Sequence, residues 1–311
     1  MSNNTKKPKL FVILGPTAIG KSTLAQKLAE RNNASIINAD SLQVYKYLDI
    51  GTSKPTEEER KRAEHYMLDV VNPDQEFNAA NFKKLAEKKI ENLSEKNKKI
   101  IVVGGTFLYV RILLSGIIEE SELDESVRAD IENIKMEKGL SYIYRMLKKV
   151  DLESYNKLKE NDYIRIQRAL EVYFSSGIKM SELQKRHSFS TSNYEVLKIG
   201  LQMERADLNE KINLRVDKMI GDGFLNEVKK IRDTGFSTEI KPMKSIGYKE
   251  MNSFLDNELS FDDAVRLIKQ NTRRYAKRQV TWLKRETGIE WYDDNYDYNE
   301  IEEKLNNFFK N

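Results

Sequence analysis

The chain has 311 residues, of which 39% are hydrophobic and 33% charged, and its formal net charge is +4. A chain of this length exceeds what one hydrophobic core usually serves, so we expect a main domain with an insertion or a second lobe. The absence of cysteine excludes a disulfide, a thiolate zinc site and a cysteine nucleophile, and the mild net charge alone implies no polyanionic partner.

No segment has the length that a membrane span or a signal-peptide core requires. The longest apolar runs, residues 10–14 (LFVIL) and 100–103 (IIVV), are far shorter than the roughly 20 residues of a membrane helix. We therefore expect a cytoplasmic protein that has no membrane contact. Because His65 and His187 are the only soft ligands, we expect any metal to be Mg²⁺ held by oxygen atoms.

The first predicted strand, residues 10–14, leads into a phosphate-binding motif. Residues 15–22 fit the pattern G-x-x-x-x-G-K-[ST], and residues 22–31 have apolar side chains at helical spacing. In such a loop, backbone N–H groups and the helix N-terminus bind phosphate oxygens, while the lysine reaches the phosphate next to the breaking bond. Ser22 would offer its hydroxyl to Mg²⁺. We predict a site for a diphosphate or triphosphate, formed by Gly15, Pro16, Thr17, Ala18, Ile19, Gly20, Lys21 and Ser22.

The second predicted strand, residues 34–40 (ASIINAD), ends in the carboxylate of Asp40. In an open α/β sheet, ligands bind outside the carboxyl ends of the strands, so we expect Asp40 near the phosphate loop. Two interpretations stay open here: Asp40 takes part in the chemistry, or it caps the turn or helix that follows. The polar residues 41–55 lack strong periodicity and predict a wall of the site.

Further segments continue the alternation of strands and helices. Residues 65–73 predict a short strand, in which we expect His65 to have a hydrogen-bonded structural role, and residues 78–92 predict a helix. Residues 98–103 predict a strand that runs into a Gly-Gly-Thr sequence ending at Thr106, where glycine permits the close approach of a ligand. This alternation predicts an α/β fold, a P-loop parallel sheet flanked by helices.

The pattern changes near residue 119, because the following 70 or so residues lack strand-like apolar runs and are rich in charge. We predict a P-loop core with C-terminal basic helices, interrupted by a mainly helical insertion: residues 1–118 and 191–311 for the core, and 119–190 for the insertion. Arg165, Arg168 and Glu171 are spaced three apart in the last helix of the insertion. The default interpretation is a surface ladder in which Glu171 pairs with Arg168.

The last third of the chain predicts a strand over residues 194–203, a helix that holds Arg215, and an acidic terminal helix. Residues 266–285, which lie between these two helices, include eight basic residues and no acidic one. Such a helix suits a phosphate backbone, with the rings of Tyr275 and Trp282 available for packing or for base stacking. The alternative is a solvated helix whose aromatic residues belong to the core. The candidate phosphate contacts are Arg273, Lys277 and Arg278.

Several functions compete for these features. A nucleoside or nucleotide kinase would use the phosphate loop but leave the basic helix unexplained. A nucleotide-dependent switch or motor usually has an apolar strand that ends in a metal-binding aspartate, whereas the strand over residues 98–103 ends in Gly-Gly-Thr. A non-enzymatic RNA-binding protein would leave the loop idle. A transferase that releases diphosphate and acts on a nucleic acid uses both features.

Six motifs, in their order along the chain, resemble the bacterial tRNA dimethylallyltransferase family, also called the isopentenyl transferases. They are GPTAIGKS at residues 15–22, DSLQVYKYLDIGTSKP at 40–55, VGGTFLY at 103–109, NDYIRIQRALEV at 161–172, SIGYKE at 245–250 and TRRYAKRQVTW at 272–282. Together they cover nearly the whole chain. Two departures are small: Ser22 stands where many members have threonine, and Tyr66 follows His65 where a second histidine or an arginine is common.

The resemblance implies transfer of a dimethylallyl group from dimethylallyl diphosphate to N6 of the adenine just 3′ of the anticodon in tRNA, with release of diphosphate. It implies that Asp40 accepts the amine proton as general base and that Thr17 contacts the bridging oxygen. Lys21, Arg215 and Mg²⁺ would neutralise the leaving diphosphate. The target adenine would have to leave the anticodon stack to reach the aspartate.

The resemblance also implies a set of residues on the tRNA side, and it replaces the ladder interpretation of the insertion with contact to the anticodon arm. These residues are Asp40, Ser41, Leu42, Gln43, Thr106, Arg128, Arg165, Ile166, Gln167, Arg168 and Ala169. The expected partners are thus tRNA and dimethylallyl diphosphate, and we expect a monomer.

Overall fold

The structure is a computed structural model that describes residues 7–116, 125–187 and 193–310. The chain divides into two compact units, Met1–Leu114 with Asn193–Asn311, and Ser115–Ser192. The predicted boundaries at residues 118/119 and 190/191 lie outside the described residues. In the described ranges, no helix is long and apolar enough to cross a membrane.

Six parallel strands of the first unit form one sheet with the order β3-β2-β4-β1-β5-β6. The strands are β1 Lys9–Leu14, β2 Ala34–Asn38, β3 His65–Tyr66, β4 Lys99–Val103, β5 Glu195–Leu201 and β6 Ile289–Tyr292. Phe11 of β1 lies opposite Ile101 of β4 on one side and Leu197 of β5 on the other. The predicted α/β fold with a parallel sheet is confirmed.

Helices connect these strands and also build the second unit. In chain order they are α1 Lys21–Asn32, α2 Glu57–Arg62, α3 Ala79–Glu95, α4 Phe107–Ser115, α5 Glu125–Lys138, α6 Leu140–Val150, α7 Leu152–Lys157, α8 Tyr163–Ser176, α9 Met180–His187, α10 Arg205–Gly221, α11 Phe224–Asp233, α12 Tyr248–Leu255, α13 Phe261–Leu283 and α14 Tyr298–Lys310.

Alternate residues of β1 enter two different hydrophobic cores, because successive side chains of a strand point to opposite faces. Leu10 and Val12 pack in a core with α3, α4, α11, α12 and both ends of α13. Phe11 and Ile13 pack in a second core with α1, α10 and α14. A strand that is buried on both faces reads as a continuous apolar run, which is why the LFVIL pattern predicted it correctly.

The second unit has five described helices, α5 to α9, around its own core of residues that include Ile143, Leu147 and Leu170. Asp151 lies fully buried in this unit. Its carboxylate accepts hydrogen bonds from the backbone and hydroxyl groups of both Ser154 and Ser181, and so ties the first turns of α7 and α9 together. The mainly helical character predicted for this part of the chain agrees with these elements.

The sheet differs from the prediction in two strands: one is shorter than predicted, and the other was not predicted. The strand predicted over residues 65–73 is only the two-residue β3, because Met67 and Asp69 take left-handed backbone angles, with φ of 66° and 53°. The edge strand β6 was not predicted. It has four residues, none of them fully buried, and it therefore lacks the apolar run or clean alternation that identifies a strand in sequence.

Candidate active site

A cavity of about 940 Å³ opens in the first unit where β1, β2 and β4 end. Its volume lies near the upper end of the roughly 300–1,000 Å³ of small-molecule sites. The cavity brings together most of the core residues that we predicted to bind or react. Its lining includes Thr17, Ala18, Gly20, Lys21, Ser22, Asp40, Gln43 and Arg215.

The phosphate loop turns tightly between β1 and α1. Gly15 and Gly20 have φ of 150° and 104°, which favour glycine, and a Cβ on Gly15 would come within 2.9 Å of the carbonyl oxygen of Leu201. The side chain of Ile19 is buried in the core, so Ile19 can offer a ligand only its backbone. Pro16 is also buried and, as a proline, has no backbone N–H to donate. Ser22 lies exposed in the first turn of α1 and belongs to the lining of the cavity.

Lys21 bends back over the loop that precedes it. Its Nζ donates a hydrogen bond of 2.7 Å to the carbonyl oxygen of Pro16, and the side chain is buried. Burial lowers the pKa of Lys21 from 10.5 to about 7; the positive charge of Arg215 adds to this shift, and the carboxylate of Asp40 opposes it. The ammonium form of this lysine is therefore poorly stabilised unless an anion enters the cavity.

Arg215 of α10 reaches the same loop from the other side of the cavity. Its Nη1 donates to Oγ1 of Thr17 at 2.9 Å, and its Nη2 lies 3.5 Å from the carbonyl oxygen of Thr52. The pKa of Arg215 is lowered overall, because the effect of burial exceeds the opposite effect of the Asp40 carboxylate. The buried Lys21 and the half-buried Arg215 therefore bring two cationic side chains to the phosphate loop, where they would attract an anion with several negative charges.

Asp40 follows β2, and its two carboxylate oxygens differ in their contacts. One oxygen caps the following turn, and the other is available for chemistry. Oδ1 accepts hydrogen bonds from the backbone N–H groups of Leu42 and Gln43, at 2.9 and 3.3 Å. Oδ2 lies 3.7 Å from where a Cβ on Gly105 would stand, and within the described part of the chain no donor reaches it. The carboxylate thus caps a turn and still presents one oxygen that can take a proton.

The residues around Asp40 hold this turn in place. Thr106 Oγ1 accepts from the backbone N–H of Ser41 at 2.9 Å and donates to the hydroxyl of Ser41 at 3.1 Å. Gln43 is buried and donates to the carbonyl oxygens of Thr52 and Ser53, at 3.1 and 3.4 Å. These contacts fix the Asp40 carboxylate against residues 41–53.

Two side chains of α13 complete the cavity, and sequence reasoning did not assign them to it. Gln279 accepts from the backbone N–H of Thr17 at 2.8 Å and donates to the carbonyl oxygen of Gly105, also at 2.8 Å. Tyr275 donates to the same Gly105 oxygen at 3.1 Å. Their spacing of four residues, on a helix face without charge, was the available signal. Of the two aromatic residues of this helix that we predicted for packing or base stacking, Trp282 packs on Phe107 with 5.0 Å between ring centroids, whereas Tyr275 lines the cavity.

The three basic residues of α13 that we predicted to contact phosphates divide into two groups. Arg273 is half-buried and donates to Oδ1 of Asn213 on α10, so its guanidinium helps to hold the two helices together. Lys277 and Arg278 are exposed, and the Arg278 guanidinium lies 5.7 Å from the ring of Tyr275. Of the three predicted phosphate contacts, these two project into solvent.

The predicted tRNA-side residues of the second unit lie on α5 and α8. Arg128 and Arg168 each pair with Glu171 at 3.4 Å, and Arg165 pairs with Asp162 at 2.8 Å, so the ladder contact forms. The side chains of Arg165 and Arg128 stay mostly exposed, at 73% and 67%.

Three of the predicted tRNA-side residues of α8 point away from solvent. The side chains of Ile166 and Ala169 are both buried in the core of the second unit, so these two residues can offer tRNA only backbone atoms. The side chain of Gln167 is also buried, being 7% exposed. On α8, therefore, only the arginine side chains are accessible among the predicted contacts.

His65 borders the cavity but is held in a neutral form. Its Nε2 lies 2.6 Å from Oε1 of Gln26, and its Nδ1 lies 3.3 Å from Nδ2 of Asn38. The Gln26 amide nitrogen donates to the carbonyl oxygen of Glu59, so its oxygen faces the ring, and we assign the histidine proton to Nε2. Burial lowers the pKa of His65 to about 4. This geometry agrees with the structural role expected for His65.

The family model described as "IPP transferase" matches residues 43–286 of the chain. Among curated proteins, tRNA dimethylallyltransferase 2 of Syntrophus aciditrophicus is 43% identical over 293 residues, which cover 94% of each chain. The tRNA dimethylallyltransferase of Carboxydothermus hydrogenoformans is 43% identical over 286 residues, 92% of each.

Two solved structures are also similar. One is the full-length tRNA isopentenylpyrophosphate transferase of Bacillus halodurans, with 34% identity and a TM-score of 0.73 over 98% of this chain and 97% of that one. The other is a eukaryotic dimethylallyltransferase acting on tRNA, with 31% identity and a TM-score of 0.84 over 97% of this chain and 79% of that one.

Proposed function

The chain belongs to the IPP transferase family, and from that premise we propose that it transfers a dimethylallyl group from dimethylallyl diphosphate to N6 of the adenine just 3′ of the anticodon in tRNA. The observation that carries the proposal is that one cavity contains both an anion-binding loop and a carboxylate that can accept a proton. A phosphate loop with the buried Lys21 and the half-buried Arg215 lines the same space as the carboxylate of Asp40.

The bond changes in this reaction balance without a further reactant. The N6 lone pair of adenine forms a bond to the first carbon of the allyl group, and the bond from that carbon to the diphosphate oxygen breaks. The leaving diphosphate takes the electron pair and is stabilised by Lys21, Arg215 and the backbone N–H groups of the loop. Oδ2 of Asp40 accepts the proton that N6 loses. Thr17, whose hydroxyl accepts a hydrogen bond from Arg215, would contact the bridging oxygen.

We also propose Mg²⁺ as the metal, with Ser22 as its protein ligand. The described residues contain no group of three or more histidine, cysteine, aspartate or glutamate side chains that could hold a metal. An exposed hydroxyl at the phosphate loop suits Mg²⁺, which keeps waters and binds substrate phosphates instead of an all-protein cage. When bound, the ion would supply positive charge to the diphosphate oxygens.

The acceptor would be held by basic side chains that project into solvent. We propose that the tRNA backbone contacts Arg128, Arg165 and Arg168 in the second unit, and Lys277 and Arg278 in the first, through salt-sensitive phosphate contacts. The adenine would leave its stack to reach Asp40. We propose that the protein acts as a monomer in the cytoplasm.

A transfer assay tests the proposed function directly. Protein, Mg²⁺, unmodified tRNA and radiolabelled dimethylallyl diphosphate should give label in tRNA, and nuclease digestion should find it on the adenine 3′ of the anticodon. The kinase alternative is favoured by nothing in the relatives, which are tRNA-modifying transferases by name. It would win if the protein phosphorylated nucleosides with ATP and left the allylic diphosphate unused.

A further inference from the structure

The carboxylate of Glu227 on α11 receives four hydrogen bonds, all from neutral donors. Oε2 accepts from the backbone N–H groups of Asp49 and Ile50, at 3.0 and 2.6 Å. Oε1 accepts from the backbone N–H of Gly51 at 3.1 Å and from the hydroxyl of Tyr248 at 2.6 Å. A carboxylate thus holds three successive backbone N–H groups, the arrangement by which proteins bind anions.

The backbone that donates to Glu227, residues 49–51, is closely packed at Gly51. A Cβ on Gly51 would overlap the ring of Phe224 and come within 2.7 Å of the ring of Tyr248. Tyr248 is fully buried, and burial together with the Glu227 charge raises its pKa well above 10, so the hydroxyl remains a donor. The backbone at Gly51 therefore lies directly against the two aromatic rings, and one of these rings carries the hydroxyl that donates to Glu227.

The same segment forms a wall of the cavity and carries a contact to the diphosphate site. The lining of the cavity includes Asp49, Ile50, Thr52 and Ser53, but not Glu227. The carbonyl oxygen of Thr52 accepts from Arg215 and from Gln43. From the other side, the buried Nζ of Lys54 donates to Asp49 Oδ1 and to the carbonyl oxygen of Tyr45, at 2.7 and 2.8 Å.

We propose that Glu227 is a positioning residue for diphosphate binding, acting through the backbone of residues 49–52 on the guanidinium of Arg215. Glu227 fixes the three N–H groups, the segment presents the Thr52 carbonyl, and this carbonyl together with Thr17 Oγ1 holds Arg215 over the phosphate loop. The inference rests on the proposed function only for the identity of the prenyl donor, because inorganic diphosphate probes the same contacts.

The test compares Glu227→Gln with Glu250→Gln in the full chain. Glutamine would present an NH₂ group to at least one of the donors that Glu227 now satisfies, and so would push the segment away. Glu250 is a matched control: it is also a glutamate that accepts a backbone N–H, from Gly247 at 2.7 Å, and a side-chain N–H, from Asn271 at 2.7 Å, but it does not line the cavity.

Titration calorimetry with inorganic diphosphate and Mg²⁺ should give a Kd for Glu227→Gln about 10- to 100-fold above that of the parent. The KM for the prenyl donor should rise in parallel, while the Kd for tRNA stays within about twofold. Glu250→Gln should lower Tm without changing the diphosphate Kd. Tyr248→Phe, which keeps the ring and removes one of the four donors, should raise the diphosphate Kd by a smaller factor and is the second variant if Glu227→Gln does not fold.

A merely structural role predicts a different result. If Glu227→Gln loses stability as Glu250→Gln does but keeps the parent's Kd for diphosphate, the inference is overturned, and an unchanged Kd in a folded Tyr248→Phe overturns it as well. A parent protein that binds diphosphate but transfers no prenyl group to tRNA would defeat the proposed function, while the diphosphate Kd of the variants would still decide the role of Glu227.

Discussion

The side-chain oxygen of Gln279 accepts a hydrogen bond of 2.8 Å from the backbone N–H of Thr17, 262 residues earlier in the chain. The amide nitrogen of the same side chain donates to the carbonyl oxygen of Gly105. One amide from α13 therefore joins the phosphate loop after β1 to the glycine turn after β4. The shape of the loop that would hold the diphosphate depends on a residue of the basic helix.

We expect Gln279→Leu to weaken both the fold and the binding of the donor. It would leave the Thr17 N–H and the Gly105 oxygen without this buried partner, at a cost of about 1–3 kcal/mol in the free energy of unfolding. The KM for the donor should rise because the loop loses its anchor. Tyr275→Phe is the control, since it removes the other donor to Gly105 and leaves the bond to Thr17. Equal effects of both variants on KM would contradict this prediction.

We expect Asp40→Asn to keep the fold and to lose the chemistry. Asparagine Oδ1 can still accept from Leu42 and Gln43, so the free energy of unfolding should change little. Loss of the proton acceptor should slow the chemical step by roughly 10²–10⁴-fold, measured in single-turnover transfer with saturating tRNA and donor. Asp222→Asn changes another carboxylate at the border of the cavity and should react like the parent. A folded Asp40→Asn variant that reacts within a few-fold of the parent removes Asp40 from the mechanism.

We expect diphosphate binding to take up a proton at Lys21. The pKa of this lysine is about 7 without ligand, and the bound anion raises it. Below pH 7 the lysine is charged with and without ligand, so its contribution to the affinity does not depend on pH. Above pH 7 the unliganded protein must gain a proton to bind, and the affinity should fall by up to about tenfold per pH unit until the pKa of the complex is reached.

Calorimetry at pH 8, in two buffers that differ in ionisation enthalpy, measures this proton uptake. Lys21→Arg is the control, because a guanidinium stays protonated throughout this range and reports only the proton exchange of the diphosphate itself. The same uptake in the parent and in Lys21→Arg would mean that Lys21 is already charged in the unliganded protein. Lys21→Ala should nearly abolish transfer and leave tRNA binding largely intact.

Variants of the basic helix α13 should be of two kinds: those that change the salt dependence of tRNA binding and those that change stability. Neutralising the exposed Lys277 or Arg278 with glutamine should reduce the salt slope of tRNA binding by about one unit each and leave stability within about 0.5 kcal/mol. Arg273→Gln loses the contact with Asn213, so it should instead cost about 1 kcal/mol in stability with little change in the slope. The measurement is the Kd for tRNA over a series of salt concentrations. A lower slope for Arg273→Gln would assign that residue to the RNA contact instead.

Local features of the site could be predicted from the sequence because their parts are neighbours in the chain. The phosphate loop stands between its own strand and helix, and Asp40 stands at the end of the next buried strand along the chain. The rule that ligands bind at the carboxyl ends of parallel strands therefore placed them at the same edge of the sheet. The resemblance to a family added Arg215, which lies about 200 residues from the loop and which no spacing rule connects to it.

The remaining features depend on contacts that a single sequence does not encode visibly. Gln279 is a neutral residue in a conspicuously basic helix, and its partners are two backbone groups without any side-chain signature. Glu227 likewise binds backbone N–H groups. The burial of Ile166 and Ala169 follows from the packing of α5, α6 and α8, whereas the family motif that contains both residues only suggested a function for the segment as a whole.

The position of β1 between β4 and β5 determines when the site can form during synthesis. The strand that leads into the phosphate loop gains its second neighbour only after residue 201, and the Thr17 N–H gains its partner only after residue 279 of 311. At roughly 5–20 residues per second, a ribosome adds this intervening chain over some tens of seconds. A nascent chain that stops before residue 279 therefore lacks the contact that joins the phosphate loop to the basic helix.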